Sequence, residues 1–274
     1  NGAFRARLCT KGAAGGVWGV PISTETVRPS ARRALVAVWY GVVCHVCFAV
    51  AMASMMVAMY FGMSRSLGAV PRPWSWIANA ALLVVFPLMH SLLLSSRGRA
   101  LLARLAPAGT GVTLTTTTFV IIAAVQVFAL FALWTPSGTI WWQARGVALE
   151  FMIGLYAAPW LLLGKAITDA GIKLQIGSLG WTALLRGRKP VYPQIPRTGL
   201  FRFTRQPIYV AFTLTLWTVP TWTPDQLVVA LTLTAYCLIG PLFKEARFRR
   251  LHGPAFESYA SGVPYWLPWP RKVR

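Results

Sequence analysis

The sequence predicts an all-α fold, a polytopic membrane bundle of about five to six transmembrane helices, from three observations. Of the 274 residues, 56% are hydrophobic and 12% charged, roughly half the charged share of an ordinary soluble domain. Apolar stretches near 34–62, 74–95, 114–134, 146–167, 208–223 and 226–243 approach or exceed the roughly 20 residues that cross a hydrocarbon core. Basic residues outnumber acidic ones by 27 to 6, and their positions are uneven.

With six spans and an inside N-terminus, all the lysines and arginines except Arg65, Arg72 and Arg145 fall on the inside face. That skew is what the positive-inside rule describes. The basic excess is therefore topological, and a nucleic-acid partner, the other common cause of such a balance, is not needed. The chain is expected as an integral membrane protein with the lipid bilayer as its first partner and both termini on the cytoplasmic, positive side.

Three segments follow. Residues 1–33, rich in Gly, Arg, Ser and Thr, read as a basic flexible tail rather than a targeting peptide. Residues 34–167 hold four spans joined by short loops. Trp74, Trp76, Trp134, Trp141 and Trp142 in those loops suit the membrane interface, where an indole keeps its ring in lipid and its N–H wet. Residues 168–274 carry the polar chemistry, with a helical hairpin over 207–243 and a basic tail.

Several groups in the first four spans invite chemistry. Cys44 and Cys47, three positions apart, share a helix face with His45 between them in sequence, but a fourth ligand is missing, so a structural reading is preferred and no metal site is expected. Cys9, Cys44, Cys47 and Cys237 make no disulfide framework. His45 and His90 in adjacent spans could clamp a haem, although a histidine hydrogen-bonded within the bundle is the simpler state of each. Glu150, an acid in an apolar run, is read as paired with Arg145 or snorkelling at the outer boundary.

The inside segment from Lys165 to Arg205 is longer than a plain connector. Its spaced apolar residues Leu174, Ile176, Leu179, Trp181, Leu184 and Leu185 predict an ordered helix lying on the surface, and RGRKPVYPQIPRTG then breaks it. Next come the hairpin and its flanks. Arg202, Arg205, Gln206 and Tyr209 stand at its start, and Lys244, Glu245, Arg247 and Arg249 at its end. An antiparallel pair brings both clusters to one membrane face, where they can converge on one pocket. Pro207 suits a first helical turn, and the free amides there with Arg205 favour an anionic group. Beyond it, Glu245 to Leu251 can be helical, His252-Gly253-Pro254 stops the helix, and Phe256 to Tyr259 restart one turn.

These residues resemble the isoprenylcysteine carboxyl methyltransferase superfamily. Its C-terminal signature is a glycine-led aromatic segment, Arg-His-Pro-x-Tyr, a helical hairpin, a Glu-Glu pair, Gly-x-x-Tyr-x-x-Tyr and Val-Pro-x-x-x-Pro. Here the run is TGLFRFTRQPIYVAF, then FKEARFRRLHGPAFESYASGVPYWLPW. Together with LLRGRKPVYP and FPLMHSLLLSSRGRALLARLAP, it is most similar to the bacterial methanethiol S-methyltransferase group. The resemblance covers about residues 80–270. It implies a membrane enzyme using S-adenosylmethionine, with a cytoplasmic-side C-terminal cofactor pocket and a small or lipophilic acceptor, such as a thiol, arriving through the bilayer.

Carried over position by position, Arg205, Gln206 and Tyr209 match the Arg-His-Pro-x-Tyr cofactor residues and Glu245 the second acid of the pair. Tyr259, Val263 and Pro264 match the closing motif. With Arg202 these make the candidate cofactor-binding set of Arg202, Arg205, Gln206, Tyr209, Glu245 and Tyr259, with no residue assigned to catalysis. The family histidine is Gln206 here, the first glutamate Lys244, the glycine after the tyrosine Ala211, and the first closing tyrosine Phe256. Those departures motivate a rival reading, a non-catalytic membrane subunit that packs against partner proteins in a larger complex. A second rival is a haem-binding isomerase or sensor using His45 and His90.

Overall fold

The computed structural model describes residues 30–267. Residues 1–29 and 268–274 lie outside them, and with them Cys9, nearly all of the expected N-terminal tail and the last proline of the closing motif.

The described residues form an all-α bundle. Helix α1 (Ala31–Tyr60) starts where the Ser30 hydroxyl accepts from the Arg33 amide, a side-chain N-cap. It is followed by α2 (Trp74–Leu93), the short α3 (Ser96–Leu105), α4 (Gly111–Ala132) and α5 (Val147–Asp169). Two short helices, α6 (Ile172–Gln175) and α7 (Ser178–Leu185), precede a 3-10 turn at Gly199–Arg202. Then come α8 (Pro207–Trp217), α9 (Pro224–His252) and α10 (Pro254–Gly262).

Helices α1, α2, α4, α5 and α9 are long and apolar enough to cross a membrane. The fifth expected span, 208–223, is not a crossing helix. Helix α8 has 11 residues and rises about 16 Å, half the ~30 Å of a hydrocarbon core. The chain leaves it at Trp217, and Thr221–Trp222 (β2) pairs antiparallel with Trp142–Gln143 (β1), setting Trp142 opposite Trp222. The expected tail helix also differs, because α9 runs unbroken for 29 residues and carries the polar end of the hairpin on the helix that begins at Pro224.

Helices α1, α2, α4, α5, α8 and α9 meet in the main core, where Met55, Met59, Leu83, Phe131, Tyr156, Leu216, Val229 and Leu233 are buried together. At one end of the bundle the loops are tied to α9. The Trp134 indole N–H donates to Asp225 Oδ1 at 3.1 Å and the Ser137 amide to Oδ2 at 2.9 Å. Trp134 is thus buried, unlike Trp74, Trp76, Trp141 and Trp142, which are exposed as interface residues would be. Glu150 lies in the first turn of α5 and makes no ion pair with Arg145 among the described residues. A helix N-terminus is itself a favourable place for a carboxylate.

At the other end, the helix expected to lie on the surface is docked. Thr117 Oγ1 of α4 donates to the Gly177 carbonyl at 2.8 Å and accepts from the Trp181 amide at 3.1 Å. Gly180 makes this approach possible, since a Cβ there would stand 2.6 Å from Thr117 Oγ1 and 2.7 Å from the Thr113 carbonyl.

A candidate cofactor and acceptor site at the mouth of the helical hairpin

The hairpin joins its two polar ends as its antiparallel course requires. Pro207 opens α8 at a position where a missing N–H costs nothing, and Gln206 just before it is buried beside Glu245 of α9. The Gln206 amide Nε2 donates to Glu245 Oε1 at 2.7 Å, while its Oε1 accepts from Lys244 Nζ. The two departures from the family pattern therefore meet each other. A glutamine can accept from an ammonium and donate to a carboxylate at once, so it bridges Lys244 and Glu245.

Glu245 is 2% exposed and fully engaged. Besides Gln206, it accepts from Arg205 Nε at 2.8 Å, from Arg205 Nη2 at 3.3 Å and from Arg249 Nη2 at 3.4 Å. Arg205 spends its remaining donors on the closing segment. Its Nη1 reaches the carbonyls of Ala260 at 2.6 Å and Val263 at 2.9 Å, and its backbone amide reaches that of Pro264 at 3.0 Å. Thr204 Oγ1 adds a bond to the Trp266 carbonyl at 2.7 Å. This is a latch that holds residues 260–266 over the start of α8. Tyr259 closes it from the other side, donating to the Phe201 carbonyl at 2.7 Å. Burial raises the Tyr259 hydroxyl to about 12, so it remains a neutral donor.

Phe201 is itself fixed by a glycine and an acid. Asp169, at the end of α5, accepts from the Leu200 amide at 2.8 Å and pairs with Lys165. Gly199 has φ +60°, and a Cβ there would lie 2.2 Å from Asp169 Oδ2. The glycine that leads the aromatic segment is needed for that contact.

Two cavities open behind this frame. The first, of about 380 Å³, is lined by Arg205, Gln206, Tyr209, Glu245 and Tyr259 together with apolar residues of α1, α2 and α4. Five of the six expected cofactor residues thus share one wall. Arg202 does not line it; its guanidinium lies 5.2 Å from the Phe203 ring centroid and is exposed. The second cavity, of about 550 Å³, lies between α1, α2, α3, α4 and α9. Both volumes fall in the range of roughly 300–1,000 Å³ usual for ligand pockets. His90, Tyr209, Tyr236 and Lys244 line both cavities and form their common wall.

Methanethiol S-methyltransferase 1 of Bradyrhizobium diazoefficiens is 25% identical over 198 residues, 72% of this chain and 68% of the relative. Methanethiol S-methyltransferase of Mycobacterium tuberculosis is 26% identical over 207 residues, 74% of this chain and 82% of the relative. That of Pseudomonas deceptionensis is 26% identical over 198 residues, covering 72% and 74%. The chain is similar to the methanethiol S-methyltransferases. The resemblance read from the C-terminal motifs is thereby borne out. No family profile matches the chain, and no solved structure matches it.

His90, within the FPLMHSLLLSSRGRALLARLAP run but not among the expected cofactor residues, also stands out at this site. Its Nδ1 is buried with no hydrogen-bond partner, and its ring sits against Phe86 and Phe119 at centroid distances of 5.7 and 4.9 Å. The other histidine of the expected haem clamp is occupied elsewhere. His45 Nε2 accepts from the Trp181 indole at 3.3 Å and lines neither cavity, so the two rings do not face a common space. Spacing alone gave no sign of this, because His45 and His90 sit on different helices and look equivalent in sequence.

Proposed function

We propose that this chain is a membrane-embedded methyltransferase that uses S-adenosylmethionine and acts on a small or lipophilic acceptor, a thiol in the simplest case. One observation carries the reading: five matched residues line a cavity that shares a wall with a second, larger one. The relatives named methanethiol S-methyltransferase support it. Two adjoining chambers suit a reaction in which donor and acceptor enter separately and meet along one line.

The residues of the first cavity fit the proposed cofactor. Lys244 can pair with a carboxylate, and its Nζ already lies 5.2 Å from the Tyr209 ring centroid. The aromatic faces of Tyr209, Phe212, Phe248 and Tyr259 suit both a purine and a sulfonium cation. When bound, the cofactor supplies an electrophilic methyl group. Arg205, Glu245 and Gln206 hold the wall in place rather than reach inward, because their polar atoms are engaged with one another and with the closing segment. His90 Nδ1, unpartnered among the described residues and on the common wall, can donate a hydrogen bond to the acceptor's sulfur and orient it. The surrounding apolar side chains exclude water, which strengthens each of these interactions. The site end of the bundle, where Lys165, Arg197, Arg205 and Arg249 gather, is assigned to the cytoplasmic side on the positive-inside rule.

Titration calorimetry of purified protein in nanodiscs with S-adenosylmethionine tests the reading, together with transfer of a labelled methyl group to an alkanethiol. Saturable binding and a labelled thioether are expected. Folded protein that binds no cofactor overturns the proposal.

A further inference from the structure

We propose that the second cavity binds its acceptor as an anion, so that a thiol is held there as its thiolate. Arg99, Lys244 and Arg247 all line this cavity, and no Asp or Glu does. None of the three forms an ion pair among the described residues. The acids nearest in the fold are spent: Glu245 on Arg205, Arg249 and Gln206, and Glu257 on Arg249. Lys244 is held by the Gln206 amide oxygen, and Arg247 by one weak bond to the Leu94 carbonyl at 3.4 Å. Lys244 and Arg247 are partly buried, while Arg99 beside them is exposed, and cations out of water are costly without an opposite charge.

The cofactor of the first cavity does not balance them. An S-adenosylmethionine carries a sulfonium, an ammonium and one carboxylate, and so adds a further positive charge. The remaining candidate for the missing negative charge is the acceptor. Part of the remaining wall is apolar, formed by Phe48, Phe119, Val120, Ala124 and Phe243 beside the hydroxyl-bearing Thr115, Thr116 and Tyr192, and this fits a hydrocarbon body behind a charged reacting end.

As a thiol enters, its S–H bond breaks, the electron pair stays on sulfur, and the proton passes to water at the mouth of the cavity. The thiolate then lies in the field of Arg247, Arg99 and Lys244. An opposite charge within 4–6 Å lowers an acid's pKa by about 1–3 units. The cations thus do the work of a general base by making the ionised form the bound form.

That the anion is a thiolate rests on the methyl-transfer reading; that the chamber selects an anion does not. The test uses cofactor-free protein in nanodiscs of zwitterionic lipid. Thiophenol and its neutral counterpart methyl phenyl sulfide are titrated, and the ultraviolet band of bound thiolate is followed against pH. Thiophenol is expected to bind at least tenfold more tightly than the sulfide, with its apparent pKa lowered by about one unit or more. Arg247→Gln and Arg99→Gln should each erode that preference while leaving sulfide binding unchanged. Equal binding of the two compounds, or equal weakening of both by the substitutions, overturns the proposal. Sulfide binding also reports that each variant is folded. Cofactor titration in the same preparation separates the two claims: anion selectivity without cofactor binding sinks the methyltransferase reading and leaves the anion site standing.

Discussion

The Gln206 amide donates to Glu245 Oε1 at 2.7 Å, although 39 residues separate the two in sequence. This bond spans the mouth of the hairpin and joins the start of α8 to the wall of α9. It also binds together two positions where the chain departs from its relatives' superfamily pattern, since the same glutamine accepts from Lys244.

Glu245→Ala removes the carboxylate on which Arg205, Arg249 and Gln206 converge. Breaking a buried pair costs about 3–5 kcal/mol because the partner charge is left uncompensated. A marked fall in the thermal unfolding midpoint in detergent is expected, with loss of cofactor binding. Glu245→Gln, which keeps the shape and one acceptor oxygen, should fall between wild type and Ala.

Gln206→His and Lys244→Glu restore the family residues one at a time. Either change alone leaves the other partner badly matched, so each should destabilise the protein. The double variant is expected to recover part of the loss, with an interaction of about 0.5–3 kcal/mol, as for residues in one network. Simple additivity of the two unfolding shifts would show that the residues do not act as a unit.

His90→Phe keeps an aromatic ring between Phe86 and Phe119 but removes the unpartnered nitrogen from the common wall. Methyl transfer should fall by tenfold or more, which is about 1.4 kcal/mol or more, while calorimetric cofactor affinity stays within about twofold. His90→Gln, which retains an N–H donor, should recover part of the rate. A larger loss of cofactor affinity than of rate would place His90 in the donor chamber instead.

Gly199→Ala forces a side chain into the left-handed region and onto Asp169. A destabilisation of about 1–3 kcal/mol is expected. Asp169→Ala in the same background should relieve part of it, because the clash is with that carboxylate.

Cofactor binding should be visible as stability. At a hundred times its Kd, a ligand that binds the folded state alone adds about 2.7 kcal/mol. Hydrogen exchange should slow most over residues 254–267, whose backbone is held by Arg205 and Thr204. Unchanged exchange there with saturated protein would show that the closing segment does not report on the site.

The sequence was most legible where one local signal sufficed. Hydropathy windows located α1, α2, α4, α5 and α9, and Pro207 marked the start of α8 as proline at a first helical turn should. The misreadings share a different cause. Residues 218–222 follow directly on the apolar run of α8, but the backbone leaves the helix to pair with Trp142–Gln143, nearly eighty positions away, and no local pattern encodes that partner. Arg205 was legible as a conserved-type motif position by resemblance, yet its bonds go to the backbone carbonyls of Ala260 and Val263, acceptors that every residue carries. Trp181 read as part of an amphipathic surface helix because Gly41 and Gly180, which admit it to the α1–α4 face, lack side chains to announce the contact.

The latch on Arg205 has a consequence for how the protein is made. Its carbonyl acceptors at Ala260 and Val263 leave the ribosome after every helix of the bundle has been inserted. Until then Nη1 of the guanidinium at the head of α8 lacks its two carbonyl acceptors, although Nε and Nη2 can already meet Glu245, and the wall around Glu245 is not yet covered. A chain can therefore have its apolar helices in place and still have no finished chamber, because the site closes only when residues 260–266 dock on Arg205 and Thr204.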